Sequence, residues 1–194
     1  MSKVVLDVSM SLDGFIAGPN VREAEPMGDG GERLHEWMFR KGPDAEIDLA
    51  VRREFNATVG AIVGATVIGR RTFDVGVGPW GGTPWPGMPS FVVTHRTQPD
   101  LLGKNGGTFA FDGLEAGARR AKQAAGHKDV LVMGAEVARQ LLRAGLLDQL
   151  RIHLVPILLG DGTPLFDGER AELIPEGKPV IGTVTHLRFR VGTA

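Results

Sequence analysis

The stretch VLVMGAEVARQLLRAGLLDQLRIHLV, residues 130–155, contains a predicted strand, a helix and a second strand in direct succession. Residues 130–133 form a short apolar run, as in a buried strand. The next apolar residues recur at helical spacing and stop at Gly145, a residue type that commonly ends helices. In residues 150–155 apolar side chains alternate with Arg151 and His153, which predicts a strand with one exposed face. Strand, helix and strand in this order are the building unit of an α/β fold.

The same pattern continues on both sides of this stretch. Further strands are predicted at residues 4–10, 66–68, 91–94, 108–111 and 183–191. Helices are predicted at residues 34–39, from an N-cap at Asp44 to a stop at Gly64, and along the face of Leu114, Ala118, Ala121 and Ala125. We therefore expect a single α/β domain over residues 1–194 with a mostly parallel central sheet. The last two strands have no helix between them, so we expect an antiparallel pair, with the final strand at the sheet edge.

The composition restricts the classes of function. The chain has 194 residues, with 22 Lys and Arg, 23 Asp and Glu, and no Cys. The balanced charge gives no reason to expect nucleic acid or a membrane as a partner, and the lack of Cys excludes thiolate chemistry. Without a signal peptide or a long apolar segment, we expect a soluble cytoplasmic protein. The five histidines, at 35, 95, 127, 153 and 186, lack ligand-like spacing, and we predict no bound metal.

Two arginines stand where a predicted strand passes into a helix, in the sequence Gly69, Arg70, Arg71 and Thr72. A helix start normally favours anionic side chains, so adjacent cations there suggest that an anion is held in front of them. Free N–H groups, an arginine fork and a hydroxyl suit a phosphate group. Two exposed arginines on a loop would give the same sequence, and both interpretations stay open.

A second group of donors, Thr94, His95 and Arg96, follows the next strand. Since the carboxyl ends of parallel strands share one edge of a sheet, this group and residues 69–72 would form one positively charged wall. A ribose 2′-phosphate prefers an arginine partner, whereas NAD prefers a carboxylate, so the wall favours NADP(H).

A third strand end carries Gly134, Ala135, Glu136 and Val137 in front of a helix. The two small residues leave room for a pyrophosphate to approach the helix N-terminus. An ordinary tight turn between strand and helix would have the same residues.

The segment GVGPWG, residues 76–81, matches the pattern G-x-G-x-x-G in form only. Pro79 and its neighbouring prolines predict a loop over residues 75–89, so the strand-to-helix setting of a dinucleotide fingerprint is missing. Trp80 and Trp85 would either line a pocket for a flat heterocycle or cover the core. Signatures of serine hydrolases and of P-loop proteins are absent from the sequence.

Asp13 follows the first strand and is our candidate for a catalytic carboxylate. The pair Asp13-Gly14 is in the first place a turn signal. If Asp13 donates a proton during catalysis, burial should raise its pKa.

Four motifs, in this order, together resemble the dihydrofolate-reductase-like superfamily: SLDGFIA (11–17), VIGRRTFD (67–74), FVVTHR (91–96) and VMGAEVARQLLRAGLLDQLRIHLVPILLGDGTPLF (132–166). Within it, the chain most resembles the reductase domain of the bifunctional riboflavin-biosynthesis deaminase-reductase and its stand-alone bacterial relatives. The deaminase signature is missing. The resemblance implies a three-layer α/β fold, a mostly parallel sheet with an antiparallel C-terminal edge, NADPH as cofactor and a homodimer.

The resemblance also implies roles by position. Residues 69–72 would hold phosphates, residues 94–96 the 2′-phosphate and adenosine side, and residues 134–137 the pyrophosphate. Ile16 and Ala17 would lie against the nicotinamide.

Two functional hypotheses follow. The first is an NADPH-dependent reductase that passes a hydride to a small nitrogen heterocycle of the pterin, pyrimidine or ribosylamino-pyrimidine type. The second is a nucleotide- or heterocycle-binding protein without turnover. True dihydrofolate reductases carry a carboxylate on the first long helix that fixes the pteridine, and Asp44, Glu46 and Asp48 stand near the start of that helix here.

Overall fold

The structure is a computed structural model that describes residues 2–59, 61–96 and 98–192. These residues form twelve strands and four α-helices. The strands are β1 (Val4–Ser11), β2 (Phe15–Ala17), β3 (Val63–Gly69), β4 (Ser90–Val93), β5 (Leu101–Leu102), β6 (Thr108–Asp112), β7 (Asp129–Met133), β8 (Gln149–Val155), β9 (Thr163–Pro164), β10 (Leu173–Pro175), β11 (Val180–Ile181) and β12 (Thr185–Val191). The helices are α1 (Glu46–Thr58), α2 (Arg70–Trp80), α3 (Leu114–Ala125) and α4 (Ala135–Arg143), with 3-10 helices at Gly31–Met38 and Pro43–Ala45.

The main sheet has the strand order β10-β12-β8-β1-β7-β3-β4-β6-β5, with β11 also paired to β12. From β8 to β6 in this order, all neighbouring strands are parallel. β12 runs antiparallel to β8, so the mostly parallel sheet and its antiparallel C-terminal side are confirmed. The expected place of the final strand at the edge is wrong, because β10 and β11 pair with the outer side of β12.

β7 shows how the helices cover the sheet in three layers. Val130 and Val132 point into the core cluster that contains the small face of α3 and the buried side of α4. Leu131 packs in a cluster with Phe55 of α1, and Met133 packs against the cluster that contains Phe73 of α2. Since alternate residues of a strand face opposite sides, α1 and α2 lie on one face and α3 and α4 on the other. The predicted three-layer fold is confirmed.

The first long helix differs from its prediction at both ends. Asp44 lies in a 3-10 turn, and no side chain caps α1. The helix ends at Thr58, and Gly64 belongs to β3. The reason for this glycine is close packing, because a Cβ at position 64 would lie 2.8 Å from the Cα of Ala125 at the end of α3.

The predicted loop over residues 75–89 is wrong in its first part, because α2 continues to Trp80 with Pro79 in its last turn. Packing on one face holds this turn in helical form: Phe73 is buried and Trp80 packs against the same core cluster. Gly76 makes room for that tryptophan, since a Cβ there would lie 2.3 Å from the indole ring. Tertiary packing therefore overrides a local sequence that disfavours a helix.

Candidate cofactor and substrate site

The starts of α2 and α4 lie side by side at the carboxyl edge of the sheet. β3 and β7 are neighbours, with Ile68 level with Met133, so the helices that follow them begin next to each other. A Cβ at Gly134 would lie 2.5 Å from Thr72 Oγ1. Two helix N-termini that converge on one spot offer free N–H groups and positive dipole ends to an anion. The structure thus brings residues 69–72 and 134–137 together.

The two adjacent arginines have different surroundings. Arg70 Nε forms an ion pair with Asp74 at 2.9 Å, its Nη1 donates to Gln98 at 2.8 Å, and its guanidinium lies over Phe73. Arg71 is exposed, and within the described ranges its side chain has no ion pair or hydrogen bond. Arg71 is therefore the arginine that remains available to a ligand, whereas Arg70 is already held by α2 and by the loop after β4.

The second donor group extends the same edge. β4 pairs with β3, with Val93 level with Gly69, so residues 94–96 follow directly beside the start of α2. Thr94 N–H donates to Asp112 O at 2.9 Å, and Thr94 Oγ1 accepts from the Arg96 N–H at 3.0 Å. Thr94 therefore orders the turn that carries the exposed side chains of His95 and Arg96. For Arg96, as for Arg71, no side-chain partner occurs among the described residues.

Glu136 lies exposed in the first turn of α4. Its carboxylate accepts hydrogen bonds from Arg139 at 2.7 Å and from Gln140 at 2.8 Å. These bonds, chiefly that of Arg139, hold the pKa of Glu136 below its ordinary value. An ionised carboxylate repels a pyrophosphate, so the side chain of Glu136 positions Arg139 rather than binding an anion. Ala135 and Val137 are buried, and their side chains pack in the core.

The residues predicted to lie against the nicotinamide are in β2, just after the carboxyl end of β1. Ile16 and Ala17 are buried, and β2 pairs with β9. Gly162 approaches so closely that a Cβ there would lie 2.1 Å from the carbonyl oxygen of Ala17. The backbone of this segment is therefore held in place by the loop after β8.

Asp13 does not have the raised pKa that a proton donor would need. It is exposed and accepts hydrogen bonds from Ser11 Oγ at 2.5 Å and from the N–H groups of Leu159 at 3.1 Å and Gly160 at 2.7 Å. These bonds, with that of Ser11 the strongest cause, hold the pKa of Asp13 below its ordinary value. The expectation of a raised pKa is wrong, and Asp13 instead fastens the turn after β1 to the loop after β8.

For Trp80, the structure supports the second of the two interpretations. Its ring folds back over Gly76 and packs against the cluster of Ile68, Phe73 and Phe109. A tryptophan in this position covers the core beneath α2.

A buried chain of four side chains was missed by the sequence analysis. Asp48 Oδ1 lies 3.0 Å from His186 Nε2, His186 Nδ1 lies 2.7 Å from His153 Nδ1, and His153 Nε2 lies 2.8 Å from Asp7 Oδ1. The buried chain thus runs from α1 through β12 and β8 to β1. The alternation in β8 had predicted that His153 faces solvent, but Trp37 of the 3-10 helix Gly31–Met38 covers its ring.

The Asp48 end of the buried chain is sealed. Thr183 donates to Asp48 Oδ2 from its N–H at 2.9 Å and from its hydroxyl at 2.6 Å. A Cβ at Gly182 would lie 2.1 Å from Asp48 Oδ1. Burial disfavours the carboxylate, but the bonds from Thr183 and His186 outweigh burial and hold the pKa of Asp48 below its ordinary value.

Trp37 covers the two histidines. Its ring centroid lies 4.8 Å from that of His153 and 5.2 Å from that of His186, and its Nε1 donates to Ser9 Oγ at 3.0 Å. Burial lowers the pKa of His186 and, with the nearby His153, that of His35. Both His186 and His35 are therefore neutral at neutral pH.

The sequence model of the RibD C-terminal domain matches residues 2–187. The chain belongs to the RibD C-terminal domain family. YwjB of Bacillus subtilis (strain 168), described as uncharacterized, is 27% identical over 169 residues, which are 84% of this chain and 82% of YwjB.

Solved structures show the same fold. A provisionally named riboflavin biosynthesis protein from Shewanella sp. PV-4 is 22% identical, with 100% of both chains covered and a TM-score of 0.68. Dihydrofolate reductase from Enterococcus faecalis, complexed with NADP(H) and RAB-propyl, is 18% identical over 98% of this chain and 97% of its own, with a TM-score of 0.54. The predicted dihydrofolate-reductase-like fold and the predicted resemblance to the reductase domain family are confirmed.

In this RibD C-terminal domain the buried chain reaches the edge where the two helices begin. Leu6 pairs with Val132, so the next residue of β1, Asp7, lies level with Met133 directly before Gly134. Among the three carboxylates near the start of α1, only Asp48 is buried, whereas Asp44 and Glu46 are exposed. Asp48 and Asp7 are thus the carboxylates that the fold places on the sheet face under α1 and α2.

Two kinds of feature are absent from the described residues of this RibD C-terminal domain. No group of three or more His, Cys, Asp or Glu side chains among them is arranged to hold a metal ion. None of their helices has the length and apolar character needed to cross a membrane.

Proposed function

We propose that this RibD C-terminal domain is an NADPH-dependent reductase of a small nitrogen heterocycle. The observation that carries the proposal is the convergence of the α2 and α4 N-termini beside exposed Arg71 and Arg96, with the buried chain ending at the same edge. Family membership and the fold shared with dihydrofolate reductase support an oxidoreductase. The description of the Shewanella protein as a riboflavin biosynthesis protein supports a pyrimidine or pterin type of substrate.

The residues present fit a dinucleotide that carries an additional phosphate. Gly134 has no Cβ where Thr72 approaches, so a pyrophosphate finds unobstructed N–H groups at two helix starts. Arg71 and Arg96 supply cations whose charges have no partner among the described residues. When bound, NADPH supplies the hydride, and the protein's own residues bind, orient and provide the proton.

A second candidate function is ligand binding without turnover. The observation in its favour is the lowered pKa of Asp13, because an exposed and strongly hydrogen-bonded carboxylate is a poor proton donor. The buried chain offers the reductase another source of protons, which is why we place the reductase first.

The cofactor wall is tested by titrating NADPH and NADH while following fluorescence quenching of Trp37, Trp80 and Trp85. We expect NADPH to bind more tightly than NADH. Loss of one charge-assisted contact in Arg96→Ala should weaken NADPH binding about tenfold or more and leave NADH binding nearly unchanged. The matched control is Arg119→Ala, because Arg119 is an exposed arginine of α3 on the other face of the sheet. This variant should leave the affinities for NADPH and NADH unchanged.

Turnover separates the two candidate functions. NADPH oxidation over many cycles with a panel of pterins and pyrimidines would establish the reductase. Tight NADPH binding without oxidation for any panel member would favour the binding protein, and absence of NADPH binding would contradict both versions of the cofactor site. We also propose a homodimer, which sedimentation velocity at micromolar concentration checks.

A further inference from the structure

The three contacts of the buried chain require three protons. Each contact joins two atoms that are acceptors unless a hydrogen lies between them, and distances of 2.7–3.0 Å are those of hydrogen bonds. Two ionised carboxylates and two neutral imidazoles carry only two protons between them. One proton more must be present, because otherwise one of the three contacts would bring two lone pairs together without a hydrogen between them.

The position of the additional proton follows from the order of the groups. His186 is neutral because it is buried, and its Nε2–H donates to Asp48, which is ionised. Its Nδ1 therefore accepts, and the hydrogen in the central contact belongs to His153 Nδ1. The contact with Asp7 needs a hydrogen as well, so the additional proton lies within the pair of His153 and Asp7.

The charged groups around this pair favour His153 as its holder. Arg151 Nη1 lies 3.9 Å from Asp7 Oδ2 and favours the ionised carboxylate. The ring of Trp37 lies against His153 within the distance of a cation–π contact. Beyond Arg151, the neighbouring strand carries Arg188, whose charge is paired with Glu54 of α1 at 3.2 Å.

On the 3-10 helix Gly31–Met38, the side chain of Arg33 is exposed to solvent, and His35 lies close enough to His153 to interact with its charge. His35 is neutral, because burial and the nearby His153 both lower its pKa.

Exposure shows at which end the proton leaves. The side chains of His186 and Asp48 are 5% and 0% exposed, whereas those of His153 and Asp7 are 12% and 10% exposed. The end with access is also the end that lies level with Met133, beside the starts of α2 and α4. A ligand on the sheet face next to Asp7 would therefore meet the pair that holds the proton.

We propose that the pair of His153 and Asp7 stores one proton and delivers it to the substrate nitrogen. His186, oriented by Asp48, accepts a hydrogen bond from His153 Nδ1–H and so stabilises the protonated form of the pair. The delivery rests on the proposed reductase function. In that reaction the hydride of NADPH adds to the carbon of a C=N bond and the stored proton adds to its nitrogen, which gives CH–NH and NADP⁺. The pair then takes a proton from water through its exposed end, and the cycle is balanced.

The store is tested first, without cofactor or substrate. Nitrogen-15 NMR of the imidazole rings at pH 8 should show both nitrogens of His153 protonated and His186 protonated at Nε2 only. His186→Leu removes the acceptor of the His153 Nδ1–H and should return His153 to a neutral ring, whereas His186→Gln, whose amide can donate to Asp48 and accept from Nδ1–H, should keep both nitrogens of His153 protonated. His127→Gln, at an exposed histidine, is the control and should leave the His153 signals unchanged. A neutral His153 in the native protein at this pH would overturn the proposal whatever the activity.

The delivery is tested on the pH dependence of NADPH oxidation with the most active member of the pterin and pyrimidine panel. We expect the turnover of His186→Leu to fall about tenfold per pH unit from a lower pH than that of the native protein. Its NADPH affinity should stay unchanged. Identical pH profiles would overturn the delivery.

The experiments distinguish a failure of the proposed reductase function from a failure of the proton store. A protonated His153 in a protein that oxidises no NADPH would overturn the reductase and the delivery together, and would leave the store in place.

Discussion

Gly134 shows how a single residue determines the cofactor site. Its φ of 104° lies in the region that favours glycine, and a Cβ there would lie 2.5 Å from Thr72 Oγ1. We expect Gly134→Ala to lower the free energy of unfolding by about 1–3 kcal/mol and to weaken NADPH binding, because the strain falls at the meeting point of two helix starts. Urea unfolding and the fluorescence titration measure the two effects.

The matched control for this change is Gly113→Ala. Gly113 stands at the start of α3 with a φ of −69°, and nothing lies within 4 Å of an added Cβ. This variant should be neutral or slightly more stable. Equal stability of the two variants would show that the conformation of Gly134 is not strained by a side chain.

Buried histidines make the protein sensitive to mild acid. The pKa values of His35 and His186 are lowered by burial, so below the ordinary histidine value of about 6.5 the unfolded chain binds more protons than the folded one. The stability that these two groups contribute should be fully present above this pH and fall as the pH decreases, by up to about 1.4 kcal/mol per pH unit for each of the two groups. Urea midpoints between pH 5 and pH 8 measure the slope.

Substitution of His35 isolates the contribution of this histidine to the pH dependence of the free energy of unfolding. His35→Gln should reduce this slope by about one proton, because the buried group that resists protonation is gone. His127→Gln removes an exposed histidine and should leave the slope unchanged. A flat stability profile from pH 8 to pH 5 in the native protein would contradict the neutral state of both buried histidines.

At the scale of elements, one side chain joins α4 to the small sheet beside the site. Arg139 Nη1 donates to the carbonyl oxygen of Pro164 in β9 at 2.8 Å, and its side chain is only 11% exposed. β9 pairs with β2, which carries Ile16 and Ala17. Arg139→Ala should cost about 1–3 kcal/mol in the free energy of unfolding, because it leaves a half-buried carbonyl without its donor.

Thermal unfolding measures the effect of Arg139→Ala. Arg119→Ala removes an exposed arginine from α3 and should change stability by less than about 0.5 kcal/mol. Equal losses in the two variants would mean that the bond to Pro164 does not stabilise the junction.

Elements also show the limits of sequence patterns. The face of Leu114, Ala118, Ala121 and Ala125 was predicted with its helix, because a regular apolar spacing reports its own burial. The end of α2 was not predicted, because Gly76 and Pro79 disfavour a helix in isolation. Only the packing of Trp80 on the core favours the helical form there. The predicted N-cap at Asp44 was wrong, because Asp44 lies in a 3-10 turn that precedes α1.

At the scale of the whole molecule, the strands of the main sheet extend from Val4 to Val191, so the first and last parts of the chain share one hydrogen-bonded layer. The prediction of one domain over residues 1–194 therefore implies one cooperative unfolding transition. Far-ultraviolet circular dichroism and tryptophan fluorescence in urea should give coincident curves. Two separated transitions would contradict the single domain.

The sequence by itself determined the class of fold, seven of its strands in their order along the chain, and the three strand ends that carry the predicted cofactor residues. These features depend on local periodicity and on neighbouring residues, which any segment displays without the rest of the chain. Only the tertiary structure decided which arginine stays available, that Asp13 is held in its turn, and that Asp7, His153, His186 and Asp48 meet. Those outcomes depend on contacts between residues far apart in the chain, such as the 138 positions between Asp48 and His186, and no local pattern reports them.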